Sequence, residues 1–101
     1  MIFRRRFDEV ISRQLDLFER GHAGLIADCA AAERAYDRAH RSEAEERYGD
    51  YVDLVETGTE ILADLRDHYA RSVDDPERYC TEFNRAVARR LPPFASEIEN
   101  R

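Results

Sequence analysis

Lysine is missing from this chain of 101 residues, in which all 16 basic residues are arginines. Its absence excludes every mechanism that uses a Schiff-base lysine or a lysine general base. Tryptophan is absent too, and the chain has 4 glycines and 3 prolines. Alanine, leucine, arginine and glutamate dominate instead, and these residues favour helices over β-sheet. We attribute the arginine bias first to the codon usage of a GC-rich bacterial genome.

Long apolar runs are also missing, since no stretch approaches the roughly 18 apolar residues that a membrane-spanning helix needs. The chain begins with a basic segment, Met1–Arg6, but charged residues interrupt the apolar segment that a secretory leader requires next. Its two cysteines, Cys29 and Cys80, lie far apart and form no C-x-x-C pair, which favours reduced thiols buried in helix seams. These features predict a cytoplasmic protein with no membrane partner.

The first third of the chain has a regular apolar pattern. Its positions alternate at intervals of three and four, and they are Phe7, Ile11, Leu15, Phe18, His22, Leu25, Cys29, Ala32 and Tyr36. This spacing predicts one continuous helix over about 7–39 with a seam like that of a coiled coil. Gln14 lies near the centre of the seam, either as a buried amide that fixes register or as a half-exposed residue.

Start and stop signals predict two further helices. Ser42 followed by Glu45 has the pattern of a capping box, which predicts a second helix over about 43–71. The apolar residues of this helix cover about half of its circumference, so we expect it to contact two neighbouring helices. Asp75 before Pro76 predicts the start of a third helix over about 76–91, and the two prolines that follow it predict its end.

Together these signals predict an all-α fold, with residues 1–101 as a single helical domain. Its architecture is an antiparallel up-down-up three-helix bundle with two long helices, a shorter third helix and a short C-terminal helical extension. A first connection that turns near Arg41 places Gly24 level with Gly58 on the facing helix. At that level either the two backbones approach closely or the glycines are merely tolerated on a face edge.

Negative charge is concentrated in the middle of the chain. The net charge of −6 arises almost entirely from residues 42–75, which hold eleven acidic residues and three arginines. Five of the acidic residues share a stripe about 80° wide at helical spacing, and they are Asp53, Glu56, Glu60, Asp64 and Asp67. We call this stripe the acidic strip. It is either a solvated face or a surface that meets a basic protein partner or the arginines of a second subunit.

Glu19-Arg20-Gly21-His22 has the Glu-x-x-His spacing of carboxylate-bridged di-iron bundles. A carboxylate and an imidazole on neighbouring helical turns can hold one divalent metal, such as iron or zinc. The chain has no second Glu-x-x-His segment, so a complete site would need Glu19 and His22 from both copies of a two-fold dimer. The alternative is a core histidine with a hydrogen-bond partner and no cofactor.

The leading hypothesis from the sequence is a non-enzymatic structural or regulatory interaction module that forms a homodimer. The length of the first helix, the broad apolar face of the second and the small core of one chain favour dimerisation. The alternative is a metal-binding protein that uses Glu19 and His22, and a third hypothesis is a small-ligand pocket lined by Phe18, His22 and Tyr51. We assign no catalytic residue. We also expect no nucleic-acid partner, because the arginines at 4–6 do not form a basic face on this acidic chain.

Overall fold

A computed structural model describes residues 6–101, so that most of the basic N-terminal segment, Met1–Arg5, lies outside the described residues. The described part consists of helices and the connections between them, which confirms the predicted all-α class. None of these helices combines the length and the apolar character that crossing a membrane requires. The five α-helices are α1 (Asp8–Gly21), α2 (Ala23–Asp37), α3 (Ala44–Ala70), α4 (Pro76–Arg90) and α5 (Ala95–Glu99), and a 3-10 turn at Pro92–Phe94 precedes α5.

The first predicted helix is divided into two at His22. This residue has backbone angles of φ −128° and ψ 31°, which are not helical, and it separates α1 from α2. Hydrogen bonds still run through the junction: the N–H of His22 donates to the carbonyl of Phe18 at 2.9 Å, and the N–H of Ile26 donates to the carbonyl of His22 at 3.1 Å. The prediction of one continuous helix over 7–39 is therefore wrong, and the up-down-up three-helix bundle is not confirmed.

The seam of the first predicted helix changes its packing partner at this junction. Before His22, the ring of Phe7 meets the ring of Tyr79 in α4 edge to face at 5.3 Å, and the ring of Phe18 meets that of Phe94 in the same way at 6.1 Å. After His22, α2 packs mainly along α3. The two parts of one seam face different helices, so the chain bends between them.

The core lies at one end of the molecule, where α1, the second half of α3, α4 and α5 meet. The large apolar side chains that are fully enclosed there are Tyr79, Phe18, Phe83, Phe94, Leu15, Leu62, Ile98 and Val87. The remaining part is a two-helix hairpin of α2 and the first half of α3, residues 23–37 and 44–57, which we call the arm. Within the arm, only Cys29 and Val55 are buried. The molecule measures 52 × 27 × 22 Å, in keeping with an arm that extends from the core.

Both ends of α4 follow the sequence signals. The side chain of Asp75 accepts a hydrogen bond from the N–H of Arg78 at 3.2 Å, and Pro76 occupies the first turn. An acidic N-cap satisfies one of the backbone donors that the first turn leaves free, and proline has no donor to leave free there. At the other end, α4 stops before Pro92, which cannot continue the helix.

One local prediction about α3 is wrong, and one of the two alternatives for Gly24 and Gly58 is excluded. The capping box at Ser42 does not form, because α3 has Glu43 as its N-cap and no side chain bonds to its first turn. Gly24 does not face Gly58 closely, since nothing lies within 4 Å of the position where a Cβ would stand at Gly24. Gly58 is instead covered by the ring of Phe94, and a Cβ at Gly58 would lie 2.7 Å from the Cζ atom of that ring.

Two buried charged side chains connect the helices from the inside. Arg66 of α3 is 4% exposed, and its NH1 group donates to the Oδ1 of Asn84 at 2.9 Å and to the carbonyl of Ile98 at 3.0 Å. Glu82 of α4 is 5% exposed and accepts the N–H of Phe7 at 3.2 Å, which fixes the start of α1. A buried charge is tolerated only when it is bonded in this way.

Gln14 of α1 is half-buried and accepts a hydrogen bond from the hydroxyl of Tyr79 in α4. The Tyr79 side chain is fully enclosed, and burial raises the pKa of its phenol far above the ordinary value. Gln14 therefore occupies the half-exposed position that was one of the two alternatives, and its amide also joins α1 to α4.

This buried phenol predicts a loss of stability in alkali. The unfolded chain releases the Tyr79 proton near pH 10, while the folded chain holds it, so the free energy of unfolding falls by about 1 kcal/mol per pH unit above that value. Urea titrations at about pH 9.5 and 11.5 measure this slope. We expect Tyr79→Phe to be less stable at pH 9.5 and to have a smaller slope, and an unchanged slope would contradict the assignment.

Candidate functional site

The acidic strip lies on the outer surface of α3. All five of its residues are exposed. Asp67 accepts a hydrogen bond from the Nε of Arg66 at 2.8 Å, whereas the other four carboxylates have no ion-pair partner within residues 6–101. At 100° per residue the strip points away from the side of α3 that carries buried Val55 and Leu62. The exposure that the sequence pattern requires is present, and the partner of the strip stays a prediction.

An aromatic pair lies on the arm near the connection between α2 and α3. The rings of Tyr36 and Tyr48 are 5.3 Å apart with an interplanar angle of 54°, and the two residues are 40% and 52% exposed. Large aromatic surfaces that stay in water are typical of contact sites for other proteins. The apolar spacing assigns Tyr36 to a seam and does not indicate the pair, although the antiparallel turn near Arg41 brings these two positions almost level.

Glu19 is held by an ion pair between α1 and α4. Its Oε2 accepts a hydrogen bond from the NH2 group of Arg90 at 2.6 Å, and Asp16 Oδ1 accepts one from the same group at 2.6 Å. Burial disfavours the charged guanidinium, but the two carboxylates outweigh it and raise the pKa of Arg90. The carboxylate that the metal hypothesis assigns to a metal therefore bonds an arginine in the single chain.

His22 is half-buried at the junction between α1 and α2, and its ring lies 5.1 Å from the ring of Phe18. Within residues 6–101, no three His, Cys, Asp or Glu side chains lie together in a way that would hold a metal ion. The hypothesis places the site at a dimer interface, so it stays a prediction about two copies. The metal hypothesis predicts that the purified wild-type protein contains a metal and that the His22→Ala variant does not. Elemental analysis of both proteins tests this prediction.

A groove of about 630 Å³ runs between α1 and α4. Its charged lining has both signs and includes Arg13, Arg89, Arg90, Asp16 and Glu82. The lining does not include Phe18, His22 or Tyr51, which the sequence analysis named for a ligand pocket. Mixed charge of this kind does not single out a ligand class, so we assign the groove no ligand.

The prediction of buried thiols holds for Cys29 and is wrong for Cys80. Cys29 is buried in the arm and Cys80 is half-buried in α4. Burial raises the pKa of both thiols, with a further increase from Asp28 at Cys29. At Cys80 the positive charge of Arg66 opposes this effect without reversing it. Thiols that stay protonated near neutral pH are poor nucleophiles.

Comparison with protein-family models, curated proteins and solved structures gives no match for this chain. The evidence on function therefore comes from the residues of this chain alone. The features described here that offer chemistry to a partner are the aromatic pair on the arm and the acidic strip on α3.

Proposed function

We propose that this chain is a non-enzymatic, self-associating interaction module of the cytoplasm, and that the arm is its contact surface. A comparison of two helices of equal length carries the proposal. α2 and α4 each have 15 residues. In α2 a single residue, Cys29, is buried. In α4 five residues are buried, and they are Tyr79, Glu82, Phe83, Ala86 and Val87.

The difference arises because, within residues 6–101, the arm has two helices and no third helix above them. Several apolar side chains are therefore covered on one side only, and they are Leu25, Ile26, Tyr51 and Leu54. Covering such surface is the main favourable term in protein association. A second hairpin laid on the first would complete a four-helix arrangement, and the coiled-coil-like spacing that continues into α2 is the pattern that such packing uses. We therefore propose a second copy of the chain as the partner.

Truncation of the aromatic pair tests the proposal. Sedimentation equilibrium is expected to give wild-type protein twice the chain mass of 11.8 kDa. Tyr36→Ser combined with Tyr48→Ser should raise the dimer dissociation constant at least tenfold, because exposed aromatics contribute strongly when an interface buries them. Leu17→Ser is the matched control, since Leu17 is 55% exposed but lies on α1 outside the arm. A monomeric wild-type protein, or equal effects of the two variants, would overturn the proposal.

The acidic strip supplies a second contact in this proposal, for a basic protein partner. Its unpaired carboxylates point away from the side of α3 that packs on α2, so an arm-to-arm dimer leaves them accessible. Replacing Glu56, Glu60 and Asp64 by arginine separates this role from a subunit contact. Dimerisation that weakens and loses its salt dependence would assign the strip to the arginines of the second subunit. If dimerisation is unchanged, the acidic strip is not a subunit contact, and its role is to bind a basic partner or to remain solvated.

A further inference from the structure

α1 is a separable element that packs on a distant part of the chain. Its polar contacts with α4 join residues that are 65 to 78 positions apart, from Gln14 with Tyr79 to Ser12 with Arg90. Arg90 adds bonds to Asp16 and Glu19. α1 has fewer contacts with α2, its neighbour in sequence, than with α4. None of the contacts with α4 requires the two helices to belong to the same chain.

The junction that directs α1 onto α4 is short, and Gly21 and Gly24 flank His22 within it. One residue, His22, departs from helical angles, and backbone hydrogen bonds continue on both sides of it. No proline occurs between Asp8 and the start of α4, so no residue prevents a helix from running through the junction. The seam of threes and fours also continues through it without a change of phase. A helical residue 22 would convert 8–37 into one straight helix about 45 Å long.

We propose that two copies of this chain exchange α1. In the exchanged dimer residue 22 is helical, and α1 of each copy occupies the groove side of α4 in the other copy. The inference rests on the proposed self-association and names the segment that the copies exchange. Every contact between α1 and α4 is made again across the two chains, so the exchange retains this interface. The two straight helices meet beside residue 22 at the base of the arm.

The missing lysines make a direct test available. Arg90→Lys introduces the chain's first side-chain amine beside Asp16 and Glu19, with the charge retained. A carbodiimide then joins that amine to one of the two carboxylates through an isopeptide bond. The bond links α1 to α4 within one chain in the closed form and between two chains in the exchanged form. Arg47→Lys beside Asp50 is the control, because both residues lie in α3 and react within one chain in either form.

Cross-linking of co-refolded unlabelled and nitrogen-15-labelled chains gives a decisive result. Exchange predicts that the Arg90→Lys protein yields covalent dimers on a denaturing gel. In these dimers a labelled α1 peptide is joined to an unlabelled α4 peptide, or the reverse. The Arg47→Lys protein is expected to yield no covalent dimer. Products of monomer mass from a protein that sediments as a dimer would refute the exchange and leave self-association standing. Products of monomer mass from a protein that sediments as a monomer would refute both.

Substitution of the junction residue provides an independent readout. Residue 22 is helical in the exchanged form and not in the closed form, so a better helix former should favour exchange. Alanine exceeds glycine by enough helix propensity to change the equilibrium about fivefold. Because the exchanged dimer contains two such residues, we expect His22→Ala to give at least five times as much interchain product, relative to intrachain product, as His22→Gly. Equal ratios for the two variants would contradict a hinge at this residue.

Discussion

Replacing Gly58 by alanine is expected to lower the free energy of unfolding by about 2 kcal/mol. A Cβ at this position would lie 2.7 Å from the Cζ and 3.2 Å from the Cδ1 of Phe94, closer than packed carbon atoms approach. Phe94 is 1% exposed and therefore has no free space to move into. The cost of moving its ring exceeds the gain in helix propensity that alanine brings.

Gly49 provides the matched control on the same helix. It is exposed, and nothing lies within 4 Å of the position of its missing Cβ. Gly49→Ala should therefore raise the free energy of unfolding by about 0.5–1 kcal/mol, because alanine restricts the unfolded chain and favours helix. Urea titration of both variants checks the pair. Changes of the same sign would show that Phe94 does not cover Gly58 as described.

Replacing Arg66 by alanine is expected to cost about 3 kcal/mol. The substitution removes hydrogen bonds that a buried cation donates to Asn84 in α4 and to the carbonyl of Ile98 in α5. It leaves both acceptors without a partner and opens a cavity among three helices. Because α5 has five residues and little helix stability of its own, we expect its amide protons to lose protection first.

Arg47→Ala controls for the loss of a positive charge from α3. Arg47 lies on the same helix and pairs at 3.7 Å with Asp50, and the side chains are 43% and 56% exposed. Exposed pairs of this kind contribute less than about 0.5 kcal/mol. Thermal unfolding should therefore separate the two variants by more than 10 °C, given the dependence of melting temperature on stability in a domain of this size. Melting temperatures within 2 °C of each other would contradict the role of Arg66.

Local signals predicted much of the helical structure. Asp75 with Pro76 fixes the start of α4, and Pro92 fixes its end, because capping and the missing proline donor act within one turn of the chain. The seam positions Phe7 to Phe18 are buried as their spacing requires. These features depend on neighbours in sequence, which is why they can be derived without a structure.

The junction at His22 could not be predicted in this way. The apolar spacing continues through the junction, and Gly21 and Gly24 beside it weaken a helix without ending it by themselves. The bend arises because α1 packs on α4 while α2 packs on α3. The pairing of Glu19 with Arg90, 71 positions away, is a tertiary contact of the same kind. The local spacing of Glu19 and His22 therefore indicated a pair of metal ligands. In the single chain Glu19 instead pairs with Arg90, and His22 contacts the ring of Phe18.

Hydrogen exchange on dilution tests whether the arm is the surface through which the chain associates with itself. Amide exchange is followed by mass spectrometry at concentrations well above and well below the dimer dissociation constant. We expect protection in α2 and the first half of α3 to fall on dilution, while protection in α4 stays the same because its contacts with α1 are the same in both forms. Arm protection that does not depend on concentration, or a loss confined to α4, would contradict this expectation.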